Sequence, residues 1–163
     1  MNVPREILFK AKRLDNGEWI DGYYMNVNPH HHEIVNYITI EDPNKFTKYP
    51  IYRIDPTTLS QFTGWKDSHN HRIFENDIVE IVSSAKHSYK YLIWWCREMN
   101  MLVAIDLRHI SFNGTDYYSN KAYRDYDTFC FMMQDPYGDA QDIKVVGNIF
   151  DNPELLEENL DER

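Results

Sequence analysis

Short apolar stretches rich in aromatic and β-branched residues recur along the chain, with turn-forming residues between them. This spacing, with turns about every 8–12 positions, is typical of small antiparallel β domains. The predicted strands cover residues 5–11, 18–25, 33–41, 51–54, 57–62, 78–82, 91–96, 101–107, 128–133 and 142–146. The pattern therefore predicts a mainly β fold built from small antiparallel sheets.

Local signals join some of these strands. Asp15-Asn16-Gly17 is a turn signal because Asn and Gly accept positive φ, and it predicts a hairpin between the first two strands. The strands that begin at Ile78, Tyr91 and Met101 follow one another closely and are predicted to form a meander. Pro50 and Pro56 disfavour a helix in the region before it.

The end of the chain predicts a short helix. Asn152 is a good N-cap, Pro153 suits the first helical position, and the following glutamates favour the N-terminal half of a helix. Leu155, Leu156 and Leu160 form a narrow apolar stripe. We expect this helix to dock on the body of the protein or on a partner.

Residues 61–82 show the clearest succession of strand and turn signals in the chain. Gly64, Asn76 and Asp77 are predicted to be structural turn or capping residues. Asn76 is expected to adopt the left-handed conformation, and Asp77 to accept hydrogen bonds from backbone amides just beyond it. The alternative is that Glu75 and Asp77 form a carboxylate pair for acid–base chemistry, but no other residue in the stretch converges on them.

Charge and composition limit the function classes. The net charge is −9, of which the last 13 residues, with six acids and one base, carry −5. A body this mildly acidic has no overall basic footprint for duplex DNA. Cys96 and Cys130 form no CxxC motif, no apolar run is long enough for a membrane span, and no signal-peptide pattern is visible. The sequence therefore predicts a cytoplasmic protein with no membrane association.

Some residues allow a binding role. His30, His31 and His32 invite a metal or pH-sensing interpretation, but adjacent extended residues point to opposite faces, which favours a polar surface loop. In Trp94-Trp95 the same alternation buries one indole and exposes the other, for a subunit contact or for stacking on a base. The aromatic and basic residues that we expect at a binding surface are Trp65, Trp95, Tyr117, Tyr118, Tyr123 and Arg124.

The sequence contains no glycine-rich phosphate loop, GxSxG elbow or zinc signature. It therefore predicts no catalytic residue, metal or cofactor.

Several motifs, taken in order, resemble the YopX-like family of phage- and prophage-encoded proteins. They are Arg5 to Ala11, Trp19 with Gly22, Gln61-Phe62-Thr63-Gly64, Lys66-Asp67, Ile73-Phe74-Glu75 with Asp77-Ile78-Val79, and Val146 to Leu156. The family has Asn-Gly where this chain has Asn70-His71, and Gly-Asp where it has Asn76-Asp77. Residues 26–57 and 108–141 match no pattern of the family.

The resemblance implies one YopX-like domain over residues 1–163, of mainly β fold, with an SH3-like barrel in the central part. A subdivision into an N-terminal β region (1–62), a central barrel-like region (63–150) and a C-terminal helix (151–163) is expected. The resemblance implies no activity and transfers no catalytic residue.

Three functional hypotheses remain from the sequence. The first is a non-enzymatic phage accessory protein in the bacterial cytoplasm that acts by binding a host or phage protein, or as a homo-oligomer. The second is a nucleic-acid-binding module that uses a small barrel and the Tyr-rich segment 108–127. The third is a hydrolase with an unmarked carboxylate site, which would require an Asp or Glu of raised pKa in a deep pocket.

Overall fold

A computed structural model describes residues 6–28, 30–35, 50–112, 117–119, 126–128 and 140–157. The chain divides into two compact units, Met1–Gly64 and Trp65–Arg163. Antiparallel strands dominate the described part of each unit, which confirms the mainly β prediction.

Five antiparallel strands build the first unit, and their order in the sheet is β4-β3-β2-β1-β5. They are β1 (Phe9–Lys12), β2 (Trp19–Asn28), β3 (His31–Val35), β4 (Ile51–Arg53) and β5 (Ser60–Lys66), whose last residues continue into the second unit. The predicted hairpin joins β1 to β2, with Gly17 at a φ of 73° in the turn. The part of the predicted strand 33–41 beyond Val35 lies outside the described residues.

A 3₁₀ turn over Pro56–Thr58 stands where the sequence predicted the start of a strand. Proline was expected to prevent a helix here, but it is tolerated in the first turn, where its missing N–H has no partner in any case. Asp55 caps the turn, because its Oδ1 accepts a hydrogen bond from the N–H of Thr57 at 2.9 Å. The strand therefore begins later, at Ser60.

The core of the first unit lies on one face of its sheet. Ala11, Ile34 and Ile54 are fully buried there, and Phe9, Ile20, Tyr24 and Leu59 pack against them. The end of β1 also meets the end of β4: Arg13 and Ile54 form an isolated antiparallel bridge, and the N–H of Asp55 donates to the carbonyl of Lys12 at 2.8 Å.

The second unit contains a five-stranded sheet of order β12-β9-β8-β7-β13. These strands are β7 (Asp77–Ser83), β8 (Ser88–Cys96), β9 (Met101–Asp106), β12 (Tyr126–Thr128) and β13 (Ala140–Asn148). β7, β8 and β9 form the predicted meander. The described residues close no barrel here, so the SH3-like barrel predicted for residues 63–150 is not confirmed.

Shorter elements complete the second unit. β6 (Arg72–Phe74) follows the turn after β5, a 3₁₀ turn covers Leu107–His109, and β10 (Ile110–Phe112) pairs with β11 (Tyr117–Ser119). The predicted strand 128–133 coincides with β12 only at Thr128, and its remainder lies outside the described residues.

Buried clusters lie on both faces of the meander, because apolar side chains occupy most positions along its strands. Ile78, Leu92, Val103 and Ile105 belong to a cluster on one face, and Val79, Ile93 and Ala104 belong to a cluster on the other. The predicted C-terminal helix is present as α1 (Glu154–Glu157), and Leu156 joins the first of these clusters. The helix therefore docks on its own unit. Leu160 lies outside the described residues.

Candidate functional site

A buried aspartate organises the turn between β5 and β6. The Oδ1 of Asp67 accepts hydrogen bonds from the backbone N–H groups of His69 and His71, at 2.9 and 2.8 Å. Its Oδ2 accepts from the N–H of Val145 at 3.2 Å, and also lies 3.2 Å from His71 Nδ1. Burial acts to raise the pKa of Asp67, but these hydrogen bonds outweigh it and hold the pKa below its ordinary value.

The same turn is attached to β13 at a second point. Ser68 donates its backbone N–H to the carbonyl of Ile143 at 2.9 Å, and its Oγ accepts the N–H of Ile143 at 2.9 Å. Asn70 takes a φ of 69°, a conformation that Asn tolerates better than most residues. These contacts explain Lys66-Asp67 as a folding element, because the turn fixes the position of a strand far away in sequence.

Of the predicted turn residues, Gly64 has a φ of 90° but lies inside β5, so it is a strand residue and not part of the turn. Asn76 has a φ of 67°, as the sequence predicted for it. Its N–H donates to the carbonyl of Ile93 and its carbonyl accepts from the N–H of Ile149. The 1% exposed Asp77 accepts a hydrogen bond from the N–H of Phe74, which precedes it in the chain. That the Asp77 side chain also accepts hydrogen bonds from backbone amides that follow it in the chain stays a prediction.

The C-terminal motif forms a second compact turn. Asn148 Oδ1 accepts the N–H groups of Phe150 and Asp151 at 2.9 and 3.0 Å. Asn152 and Pro153 directly precede α1, but the side-chain oxygen of Asn152 faces backwards and accepts the N–H of Asn148 at 3.3 Å. A Cβ at Gly147 would lie 2.5 Å from that oxygen. The motif therefore ends β13 and starts the helix.

Acid–base and metal chemistry gain no support from these turns. Where a carboxyl pKa shift is resolved, at Asp15, Asp67 and Asp106, the pKa is lowered, which is opposite to the raised pKa that the hydrolase hypothesis requires. No group of three or more His, Cys, Asp or Glu side chains within the described ranges is placed to hold a metal ion.

The histidine triplet is not a loop as predicted, because His31 and His32 belong to β3. Their side chains have separate partners, as alternation along a strand requires. His31 Nε2 lies 2.6 Å from Glu33 Oε1, and His32 Nδ1 lies 2.6 Å from the hydroxyl of Tyr24. The neighbouring imidazoles are thus bound to different side chains.

Most of the predicted aromatic binding residues that can be placed have packing roles. Trp65 packs against the cluster that contains Val79 and Ile93. Trp94 packs against the opposite cluster and meets Tyr117 edge to face, with ring centroids 5.1 Å apart. Trp95 is the exposed member of the pair, at 41%.

The Tyr-rich segment is only partly described. Burial raises the pKa of Tyr117, which agrees with its contact with Trp94. The side chain of Tyr118, and Tyr123 and Arg124 entirely, lie outside the described residues. The Arg108 guanidinium stacks over Tyr89 and hydrogen-bonds Asp106. Burial acts to raise the pKa of Asp106, but the bonds from Arg108 hold it below its ordinary value.

The first unit presents an exposed apolar surface that the sequence reasoning missed. Tyr23 and Met25 are 45% and 39% exposed on the face of β2 opposite the buried core, and Val27, at the irregularity between Asn26 and Asn28, is 54% exposed. Ile51 on β4 is 54% exposed and shares their face through the register of β2, β3 and β4. We call Tyr23, Met25, Val27, Ile51 and the adjacent Arg53 the outer face.

Charged residues lie within and beside the outer face. Met25, Glu33 and Arg53 occupy one row across β2, β3 and β4. At the other end, Lys10 pairs in register with Asp21, and Lys12 with Trp19. The ammonium groups of Lys10 and Lys12 lie 5.0 and 5.6 Å from the centre of the Trp19 ring. The outer face thus combines exposed apolar side chains with charges of both signs, and Glu33 lies between Met25 and Arg53.

A signal for the outer face was present in the sequence. In Trp19-Ile20-Asp21-Gly22-Tyr23-Tyr24-Met25 the apolar residues fall on both faces of the strand, whereas a strand covered on one face alone alternates apolar and polar. A second apolar face indicates a second contact surface.

The family model of the YopX protein matches residues 8–157, which include both turn motifs and all of the described strands. No curated protein matches the chain. No helix among the described residues is long and apolar enough to cross a membrane. The chain belongs to the YopX protein family.

Proposed function

We propose that this YopX protein acts by binding another protein chain, not by catalysis, and that the outer face is its contact surface. The observation that carries the proposal is the exposure of Tyr23, Met25, Val27 and Ile51 on one side of one sheet. Groups of exposed apolar side chains on one face of a sheet are candidate contact sites.

The residue types also fit a protein partner. Interfaces are enriched in Tyr, Met and Arg, three residue types that the outer face contains. Complete burial of an exposed aliphatic side chain stabilises a complex by about 1.5–3 kcal/mol before the costs of association. Tyr23, Met25, Val27 and Ile51 are 39–54% exposed, so each can contribute part of this amount.

Two alternatives receive less support. Stacking on nucleic-acid bases requires accessible aromatic rings and free cations, but Tyr117 packs on Trp94 and the Arg108 guanidinium hydrogen-bonds Asp106. Hydrolysis by carboxylates requires a raised pKa, whereas those of Asp67 and Asp106 are lowered. Protein binding therefore ranks first.

The proposal includes a phage or prophage origin and a cellular location. The YopX-like resemblance supports a phage-encoded or prophage-encoded accessory protein that works in the bacterial cytoplasm. Its partner is then a protein of the host or the phage, or a second copy of the chain.

We also propose that the SH3-like arrangement belongs to the first unit and not to the central region. It is supported by the strand order β5-β1-β2-β3-β4 and by the Arg13–Ile54 bridge between the ends of β1 and β4. Hydrogen exchange tests the idea, since the N–H groups of Leu14 and Asp55, which bond to Arg53 and Lys12, are expected to be protected. Exchange of both amides as fast as in an open turn would contradict it.

Affinity purification from phage-infected or lysogenic cells tests protein binding. The bait is the wild type beside the Met25→Ser/Ile51→Ser variant, with Trp95→Ser as the matched control because Trp95 is equally accessible but lies in the other unit. We expect a stoichiometric partner with the wild type and with Trp95→Ser, and its loss with the double variant. Equal recovery by the double variant would show that the outer face is not the contact.

An oligonucleotide titration completes this test. Fluorescence is measured with single-stranded and duplex DNA at low and high salt, because phosphate-driven binding weakens steeply with salt. We expect no salt-sensitive binding. Salt-sensitive binding that persists in the double variant would favour the Tyr-rich segment as a nucleic-acid interface.

A further inference from the structure

We draw no further inference here: the strongest candidate, the exposed apolar outer face on β2 and β4 of the first unit, already belongs to the proposed contact site, and nothing in the described part of the chain shows what covers it.

Discussion

The Oδ2 of Asp67 accepts a hydrogen bond from the backbone N–H of Val145 at 3.2 Å, across 78 positions of sequence. This bond joins the turn between β5 and β6 to β13. In the five-stranded sheet of the second unit, β13 is one edge strand and β12 is the other. Together with the two Ser68–Ile143 bonds, it attaches the turn to β13, which pairs with β7 in the sheet. The Asp67 side chain is therefore expected to be important for stability.

Replacement of Asp67 should be strongly destabilising. Asp67→Ala leaves the N–H groups of His69, His71 and Val145 without their acceptor, and the free energy of unfolding should fall by about 2–4 kcal/mol. Urea denaturation followed by circular dichroism measures the change. Asp15→Ala is the control, because that carboxylate is exposed, and it should change stability little. A loss below about 0.5 kcal/mol in Asp67→Ala would contradict the role of the turn.

Stability should also decrease in acid. The pKa values of Asp67 and Asp106 are lower in the folded chain than the ordinary value of about 3.9 in an unfolded one. Their contribution is therefore complete above about pH 4 and is lost as the pH falls through the folded pKa values. Unfolding free energies at neutral pH and at about pH 3 should show this loss. Asp67→Asn should reduce the pH dependence, and an unchanged slope would argue against Asp67 as a source.

Gly147 should not tolerate a side chain. A Cβ at this position would approach Asn152 Oδ1 to 2.5 Å and Cγ to 2.9 Å, and would displace the amide that accepts the N–H of Asn148. We expect Gly147→Ala to cost about 1–2 kcal/mol. In the Asn152→Ala background the same change should cost less, because the clashing oxygen is absent. Equal costs in both backgrounds, measured in a double-mutant cycle, would show that the two residues do not interact.

The adjacent tryptophans should differ in their contribution to stability. Trp94→Ala removes an indole from the cluster around Leu92 and Val103, together with its edge-to-face contact with Tyr117, and should cost about 2–3 kcal/mol. Trp95→Ala removes the more exposed indole and should cost less than about 1 kcal/mol. Urea denaturation measures the unfolding free energy of both variants. Equal losses of stability would contradict the assignment of Trp94 to the core and Trp95 to the surface.

Local signals in the sequence were sufficient for the meander, the first hairpin and the left-handed Asn76. Each of these depends on residues close in sequence, where periodicity and positive-φ preference act directly. The prediction started the strand after β4 too early, at residue 57. It assumed that Pro56 prevents any helical structure, but proline is tolerated in the first turn of a helix, and a 3₁₀ turn forms there. The family motifs at Lys66-Asp67 and Gly147 to Asn152 were recognisable, but their hydrogen-bond partners were not.

The sequence by itself determined that this is a mainly β protein of the YopX family, since its strand pattern and its ordered motifs are local properties. The tertiary structure decided which residues face solvent. Tyr23, Met25 and Val27 look like ordinary core residues in the sequence, and only the pairing of β2 with β1 and β3 puts them on the face away from Ala11 and Ile34. Asp67, which looks like a surface turn residue, is buried because β13 returns to it from 78 positions away. The sequence of β2 shows apolar residues on both of its faces, but long-range pairing depends on the whole chain and decides which of the two faces is exposed.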